Sequence, residues 1–455
     1  MTETIHIIHT NDLHSHFEHW PKIRRYITHR QEELRAQNSP YLTLDLGDFM
    51  DRVHPLTEGT DGQGNVEVLN QVSYDFVTLG NNEGITNSKE ELDHLFNDAT
   101  FEVLLTNLEH PDGSYPQWLI PEKRIVTPNG TRIGIVALTA YMPLSYVPFG
   151  WNIREPLAVL EERIPYLRKD VDVLILMSHL GMPDDKEIAM LYPEIDVIIQ
   201  SHTHHLLKEG LTVNESLLAA AGRFGEYVGE VTLTVNEGQI LEKVAGVQQV
   251  ALLEDSPSDA LEIDNYMMQG NILLEKEVVA NLPVPLLKQN TLIETTLEAM
   301  KSQSGCDVAL VNSGLFLTDL PTGPVTKKTL HDCLPHPMNL IKVRLKGKDV
   351  IRLVKEIEKN RDFLRFFKVV GMKFRGNIFG EIWYDGITYE KHTGKILWRE
   401  QEIEREEIYE IVTVDHLAFL PFFPTIEIAG EIKLLGPDFL RTVLGTYLNK
   451  KYKIV

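Results

Sequence analysis

The chain is 455 residues long, a length that points to two domains. Apolar residues make up 43% and charged residues 24%, ordinary globular values that exclude wholesale disorder. The net charge of −22 excludes a general nucleic-acid or acidic-membrane binder, since both need a basic face, but it leaves room for a small anion held through metal ions. Only two cysteines occur, Cys306 and Cys333, so no disulfide framework is in use and a reducing compartment is expected. The opening Met1-Thr2-Glu3-Thr4 runs into a strand pattern with no signal-peptide features, and no apolar run reaches membrane-spanning length. The expectation is a cytoplasmic protein with no membrane or nucleic-acid partner; the sequence sets no oligomeric state.

In chain order, the first half alternates strand-like and helix-like patterns. Ile5-His6-Ile7-Ile8 is strand-like and ends in Thr10-Asn11-Asp12-Leu13-His14. Trp20 to Gln37 follows with Trp20, Ile23, Ile27 and Leu34 near helical spacing. Tyr41-Leu42-Thr43-Leu44 leads to Gly47-Asp48-Phe49-Met50-Asp51-Arg52, and Phe76-Val77-Thr78-Leu79 to Gly80-Asn81-Asn82-Glu83. Ser88-Lys89-Glu90-Glu91 is a capping-box pattern before an apolar helix face. Arg132 to Leu138 reads as a strand after the Asn129-Gly130 turn. Val173-Leu174-Ile175-Leu176 precedes Ser178-His179-Leu180-Gly181, and Val197-Ile198-Ile199 precedes Ser201-His202-Thr203-His204. Val228 to Val235 is a further strand. Such alternation predicts sheet covered by helices, and ligands in such folds bind beyond the carboxyl ends of strands.

The polar stretch Glu254 to Asp259 marks a boundary, followed by a connecting helix to about Glu277. Beyond it Thr291 to Ser302 is helix-like and Val308 to Val311 strand-like. Leu340 to Leu345 and Asp349 to Glu358 read as strand then helix. Glu381 to Leu397 reads as a hairpin around His392-Thr393-Gly394-Lys395. The expected domains are 1–254, a connecting helix over 255–280, and an α+β domain over 281–455.

The five run endings share one chemistry. Asp12 and His14, two apart in a strand read as extended, point the same way and can grip one ion. Asp48 follows a glycine that permits a sharp turn, and its carboxylate can bridge two cations. Asn81 offers an amide oxygen; His179, His202 and His204 offer imidazoles, with His202 and His204 placed to serve one ion each. Carboxylate, amide and imidazole together suit Mn, Fe, Zn or Co better than Ca or a thiolate-bound metal. Two such ions roughly 3.5–4 Å apart lower the pKa of a water and clamp phosphoryl oxygens during in-line attack. Asp51 and Arg52 stand behind these ligands, Asp51 placed to orient a histidine. One Asp-x-His in a loop is more often surface than ligand, and His6, His9, His19, His29, His94 and His392 are read as solvent-facing or satisfied core residues. Five runs at five strand ends leave chance far behind.

With these motifs the first half resembles the calcineurin-like metallophosphoesterases, whose order is Asp-x-His, Gly-Asp, Gly-Asn-His-Glu, a lone His and Gly-His-x-His. The whole chain resembles the bacterial 5′-nucleotidase/UDP-sugar hydrolase family, in which a helix joins a metallophosphatase domain to a C-terminal substrate-binding domain. The resemblance implies an α/β fold: a metallophosphoesterase β-sandwich flanked by helices, plus an α+β domain. It implies one metal on Asp12, His14, Asp48 and His204 and a second on Asp48, Asn81, His179 and His202. In the C-terminal half the resemblance rests on Asp307 to Gly314, Leu334-Pro335 with Asn339-Leu340, and Val343 to Gly347, and it places Asn312, Gly314, His336 and His416 at the substrate.

The departures are specific. The family's catalytic His and Asp fall on Asn82 and Ile85; an asparagine can donate a hydrogen bond to phosphate but cannot act as a general acid. His54, His205 and Glu83 are the other acids in reach of the motifs. The family's arginine after Asn-Ser is missing from Asn312-Ser313-Gly314-Leu315-Phe316. Its two base-stacking phenylalanines fall on His336 and His416. Its Gly-Gly-Asp-Gly is replaced by Leu420-Pro421-Phe422-Phe423-Pro424. The reading is a dinuclear-metal phosphohydrolase for nucleotides or nucleotide-sugars, with Asp48 and Asn82 at the reacting phosphate. Two alternatives stand beside it: a cyclic-nucleotide phosphodiesterase on the same metals, and a nucleotide- and metal-binding sensor that has lost turnover.

Overall fold

The computed structural model describes residues 2–369 and 378–452. The chain divides into two compact units, Met1–Gly270 and Asn271–Val455, and the dividing point falls inside the helix Asp259–Lys276.

The first unit holds two large sheets. In the seven-stranded sheet, Thr2–Thr10, Tyr41–Asp45 and Phe76–Val77 lie side by side and parallel. In the six-stranded sheet, Val173–His179 lies between Arg132–Thr139 and Val197–Gln200, again parallel. Ile5, Ile7 and Leu44 from the first sheet pack with Ile135, Ile175 and Ile199 from the second in one core. Leu174, Leu176 and Ile198 face the other way, onto Leu160, Ile164 and Ile188 of the helices Pro156–Leu167 and Met182–Leu191. Val173–His179 is therefore buried at every residue, which is why Val173-Leu174-Ile175-Leu176 reads as an unbroken apolar run.

The helix Trp20–Ala36 buries Trp20, Ile23, Ile27 and Leu34, the expected stripe, and Gln31 fills its gap. That glutamine donates to Thr43 Oγ1 at 2.8 Å and to the Ser73 carbonyl at 2.9 Å, so a polar side chain is accommodated under the sheet. The capping box forms as read: Glu91 N donates to Ser88 Oγ at 3.2 Å, and Ser88 N to Glu91 Oε2 at 2.7 Å.

The second unit is built on a five-stranded sheet in the order Ile382–Asp385, Val308–Asn312, Ile408–Val414, Asn339–Lys346, Glu431–Phe439. The helices Thr291–Ser304, Gly347–Leu364 and Leu440–Lys451 belong to the same unit. The hairpin expected over Glu381 to Leu397 is corrected in part. Only Ile387–Glu390 and Lys395–Trp398 pair as its arms. Gly386, at φ +89°, turns the chain, and Ile382–Asp385 instead pairs with Val308–Asn312 in the main sheet. Alternation of side chains continues through both pieces, so sequence pattern could not show the break.

Candidate metal centre

Three of the motif runs leave the first sheet and two leave the second, and the two sets meet at the strand ends. The loops after Thr2–Thr10 and Tyr41–Asp45 zip together through their backbones. Leu46 N donates to the Thr10 carbonyl at 2.9 Å, Asp12 N to Gly47 O at 3.1 Å and His14 N to Asp48 O at 2.8 Å. The third loop joins at van der Waals limits: a Cβ on Gly47 would stand 2.1 Å from Gly80 N, and one on Gly80 2.1 Å from Asp48 Oδ1. Glycine at both positions lets two backbones touch. Glu83 locks the contact, accepting from Asp48 N at 2.9 Å, Gly80 N at 2.9 Å and Met50 N at 3.1 Å.

The side chains gather in two clusters, Asp12 with His14 and His204, and Asp48 with His179 and His202. In the first, His14 Nε2 lies 3.1 Å from His204 Nε2 and 3.9 Å from Asp12 Oδ1, which is 3.5 Å from His204 Nε2. Asp48 Oδ2 is 3.7 Å from His14 Nε2 and 3.6 Å from His179 Nε2, so one oxygen stands between the clusters. Its other oxygen accepts from the backbone N–H of Asn82 at 2.7 Å. The expected extended backbone from Asp12 to His14 is not what aims them. Asp12, His14, Asp48, His202 and His204 all sit at positive φ, between 49° and 71°. The strand ends at Thr10, and left-handed turns carry the ligands inward.

The residues fit divalent cations. Asn81 Oδ1 and His179 Nε2 are buried with no hydrogen-bond partner, which is costly unless something positive faces them. The His179 Nδ1 edge faces the Leu46 carbonyl at 2.6 Å and Ser201 Oγ at 2.5 Å; donation to that carbonyl leaves Nε2 as a lone pair. Burial opposes charge on His179, but the Asp48 and Asp12 carboxylates outweigh it and push the imidazole up to about 9. Burial also opposes ionisation of Asp12, yet His204, His179 and His14 hold its carboxyl below the usual range. The same two carboxylates that favour the charged imidazole favour a cation at this position.

Other expected residues fall as follows. Asn82 is buried, and its Nδ2 donates to the Met50 carbonyl at 2.8 Å and faces His14 Nδ1 at 2.8 Å. Asp51 Oδ2 faces the same ring nitrogen at 3.9 Å, and Asp51 Oδ1 accepts from Val53 N at 3.0 Å. Arg52 is buried against Asp61, Asn87 and Glu91, at 2.7, 2.7 and 3.1 Å, where it ties neighbouring helices together. Glu83 is committed to three backbone N–H groups, and burial, then the nearby Asp48 charge, pushes it up to about 7. His54 caps the helix Pro55–Gly59 through Leu56 N at 3.1 Å, and His205 Nδ1 pairs with Thr203 Oγ1 at 2.9 Å. In the second unit, Asn312 Nδ2 and Gly314 N both donate to the Phe379 carbonyl, at 2.9 and 3.0 Å. His336 and His416 are buried, and His416 lies 6.1 Å from the Phe379 ring, so both rings pack inside the unit and present no broad open face. Burial, with the His336 charge, pushes His416 down to about 3.

Sequence reasoning missed Asn11, whose Nδ2 donates to Asp12 Oδ2 at 2.8 Å, and Phe224, whose ring lies 5.8 Å from His14 and 6.2 Å from His204. Asn11 was legible inside its motif; Phe224 follows no pattern that spacing reveals. It also missed that His9 is no satisfied core residue: burial pushes it down to about 4, and its Nδ1 has no partner.

Comparison with known proteins shows the family. Residues 5–206 match the calcineurin-like phosphoesterase family and residues 279–419 the 5′-nucleotidase C-terminal domain. The chain is 35% identical to the uncharacterized metallophosphoesterase YunD of Bacillus subtilis (strain 168), across 98% of this chain and 99% of YunD. The chain belongs to the calcineurin-like metallophosphoesterases with a 5′-nucleotidase C-terminal domain. It is 24% identical to a 5′-nucleotidase of Diplobatis ommata over 52% of this chain, and spans about half (47%) of that relative's length. The NAD nucleotidase (NadN) of Haemophilus influenzae shares the fold, at TM-score 0.65 and 17% identity over 99% of this chain and 97% of that one. A metallophosphoesterase fold implies divalent metals, and the two clusters are the candidates to hold them.

Proposed function

We propose that this metallophosphoesterase hydrolyses phosphate esters or anhydrides of nucleotides or nucleotide-sugars at a dinuclear centre. Asp12, His14 and His204 would hold one ion, Asn81, His179 and His202 the other, with Asp48 shared. The observation that carries this is the position of Asp48 Oδ2, 3.7 and 3.6 Å from one histidine of each cluster. Bound divalent cations supply the charge that polarises the phosphoester and acidifies the attacking water. The chain's own contribution is rigidity: Glu83, the Asn82 backbone and the two glycines hold Asp48 in one position. We place the protein in the cytoplasm, in keeping with two free, buried cysteines; among the described residues no helix is long and apolar enough to cross a membrane.

The preferred substrates are anhydrides. Expelling an alkoxide from a monoester benefits from a general acid, worth about 10² to 10⁴ in rate. Neither Asn82 nor Ile85 supplies one, and the Asn82 amide is occupied with Met50 and His14. A diphosphate releases a stable anion and needs that proton less. The test compares UDP-sugars, nucleoside monophosphates, cyclic nucleotides and aryl phosphates of graded leaving-group pKa, in Mn, Zn, Mg and Co, using wild type and Asp48→Ala. Steep dependence on leaving-group pKa with loss of turnover in Asp48→Ala is expected. Turnover by Asp48→Ala with two bound metals would end the dinuclear reading, and absence of turnover on the whole panel would favour the sensor.

A further inference from the structure

The helix Gly347–Leu364 buries Val350, Leu353, Val354, Ile357 and Leu364 and turns its other face outward. Lys348, Arg352, Lys355 and Lys359 follow one another on that face at helical spacing, exposed, in one row about 16 Å long. Arg405 joins them from a loop pinned to the start of this helix: Lys348 N donates to the Arg405 carbonyl at 3.0 Å and Gly347 N to Glu407 O at 2.9 Å. A Cβ on Gly347 would stand 2.1 Å from the Glu404 carbonyl oxygen, so loop and helix are in contact by construction. With Ile351 and Glu356 these cations line a shallow, solvent-open cavity of about 380 Å³, the size of a small-ligand site.

The charge at this cavity runs against the rest of the molecule. The chain carries 66 acidic residues against 44 Lys and Arg. In the same unit Lys342, Arg344 and Lys346 each have a carboxylate partner within 3.1 Å. Among the residues lining the cavity one is a carboxylate, Glu356, engaged by Arg352 Nε at 3.2 Å and by Thr425 Oγ1 at 2.7 Å; Glu406 stands just outside, paired with Lys346 at 3.1 Å and within the field of Lys348 and Arg405. Among the described residues none pairs with Lys348, Lys355, Lys359 or Arg405. A lysine-rich face alone is an ordinary solvated helix. A basic row in which five cations face one lining carboxylate, bordered by a second segment, is an arrangement whose self-repulsion an anion relieves. Lysines as point charges and arginine as a planar fork are the donors that suit phosphate groups.

We propose that this cavity, built wholly within the second unit, binds a small polyphosphate anion, either a nucleoside di- or triphosphate or an inorganic oligophosphate. The test is calorimetric binding of inorganic tripolyphosphate and of a non-hydrolysable nucleoside triphosphate to the metal-loaded full chain, at about 150 mM salt to screen weak surface attraction. Three proteins are compared: wild type, Lys355→Glu with Lys359→Glu, and Asp48→Ala. Binding should survive in Asp48→Ala and weaken by at least ~tenfold in the lysine variant, which should keep its melting temperature and aryl phosphate turnover. Equal affinity for the two probes would make the phosphate chain the recognised group; tighter nucleotide binding would add a contact to base or sugar. The Lys355→Ala, Lys359→Ala pair gives the same comparison if charge reversal disturbs folding. No binding to wild type, or binding undiminished in both lysine variants, whatever Asp48→Ala does, would overturn the proposal. So would capture of single-stranded nucleic acid or anionic phospholipid vesicles without any binding of tripolyphosphate.

Discussion

Gly80→Ala tests whether the candidate metal centre depends on the close approach of two backbones. The added methyl carbon would lie 2.1 Å from Asp48 Oδ1, 2.4 Å from Asp48 N and 2.6 Å from His179 Cε1. Ordinary contacts need about 3.5 Å, so Asp48 or the start of the helix Asn81–Ile85 must retreat by more than ~1 Å. None of the atoms met is the tip of a flexible side chain on an open surface. Overpacking of this kind costs roughly 1–3 kcal/mol in stability. The larger effect is on chemistry, since a displacement of about 1 Å at a reacting centre costs on the order of 10²-fold in rate. Gly246→Ala is the control, because nothing lies within 4 Å of its Cβ position and its φ is not positive. Metal content by elemental analysis, turnover of an aryl phosphate and thermal melting would be measured on both variants. Gly80→Ala should stay folded with a lower melting temperature, bind less metal and turn over at about 1% of wild type. Full metal content with unchanged turnover would show that Asp48 needs no fixed position, and the geometric reasoning would fail.

Three further outcomes are expected. Asn82→Ala removes the amide that faces His14 Nδ1 and Met50 O, and should weaken metal retention against a competing chelator by about 10–100-fold, as loss of a ligand's supporting contact does; unchanged retention would leave Asn82 without a positioning role. His9 is neutral in the folded chain down to about pH 4 but protonates near 6.5 when unfolded, so protons favour the unfolded state and stability falls as pH drops from 6.5 toward 4. Urea unfolding at pH 7 and 4.5 should show wild type losing about 2–3 kcal/mol more than His9→Gln, and equal losses would refute the assignment. Removal of metal should lower the melting temperature of wild type and leave that of Asp48→Ala almost unmoved, because ions that bind only the folded state stabilise it; equal shifts in both proteins would mean that the ions act elsewhere.

Much of the site was legible because metal chemistry restricts residue types. Asp12, His14, Asp48, Asn81, His179, His202 and His204 each follow a strand pattern, and the two clusters of carboxylates and imidazoles contain six of them. What was not legible is long-range pairing. Glu83 looked like a spare acid, but only the fold reveals that its two oxygens serve three backbone N–H groups. Arg52 sits beside Asp51 in sequence, yet it turns to Asp61, Asn87 and Glu91. The run Glu381 to Leu397 keeps its alternation across Gly386, so one pattern concealed two sheets.

The left-handed backbone at five candidate ligands also left no sequence signal, and it explains why the site needs so many supports. A non-glycine residue in that region costs roughly 1–2 kcal/mol, so Asp12, His14, Asp48, His202 and His204 together hold several kcal/mol of conformational cost. Aspartate and histidine are both among the non-glycine residues that enter this region most often. The cost is offset locally rather than by the core. Asp12 N and O are both taken, by the Gly47 carbonyl at 3.1 Å and by Phe224 N at 2.7 Å. His202 N donates to both Asp12 oxygens at 3.2 Å, so a ligand of one cluster fixes the backbone of a ligand of the other. This reciprocal bracing couples the two clusters before any ion is considered. Loss of one ligand therefore disturbs the other cluster as well, which is why whole-site metal content, rather than occupancy of a single position, is the quantity that these variants should change.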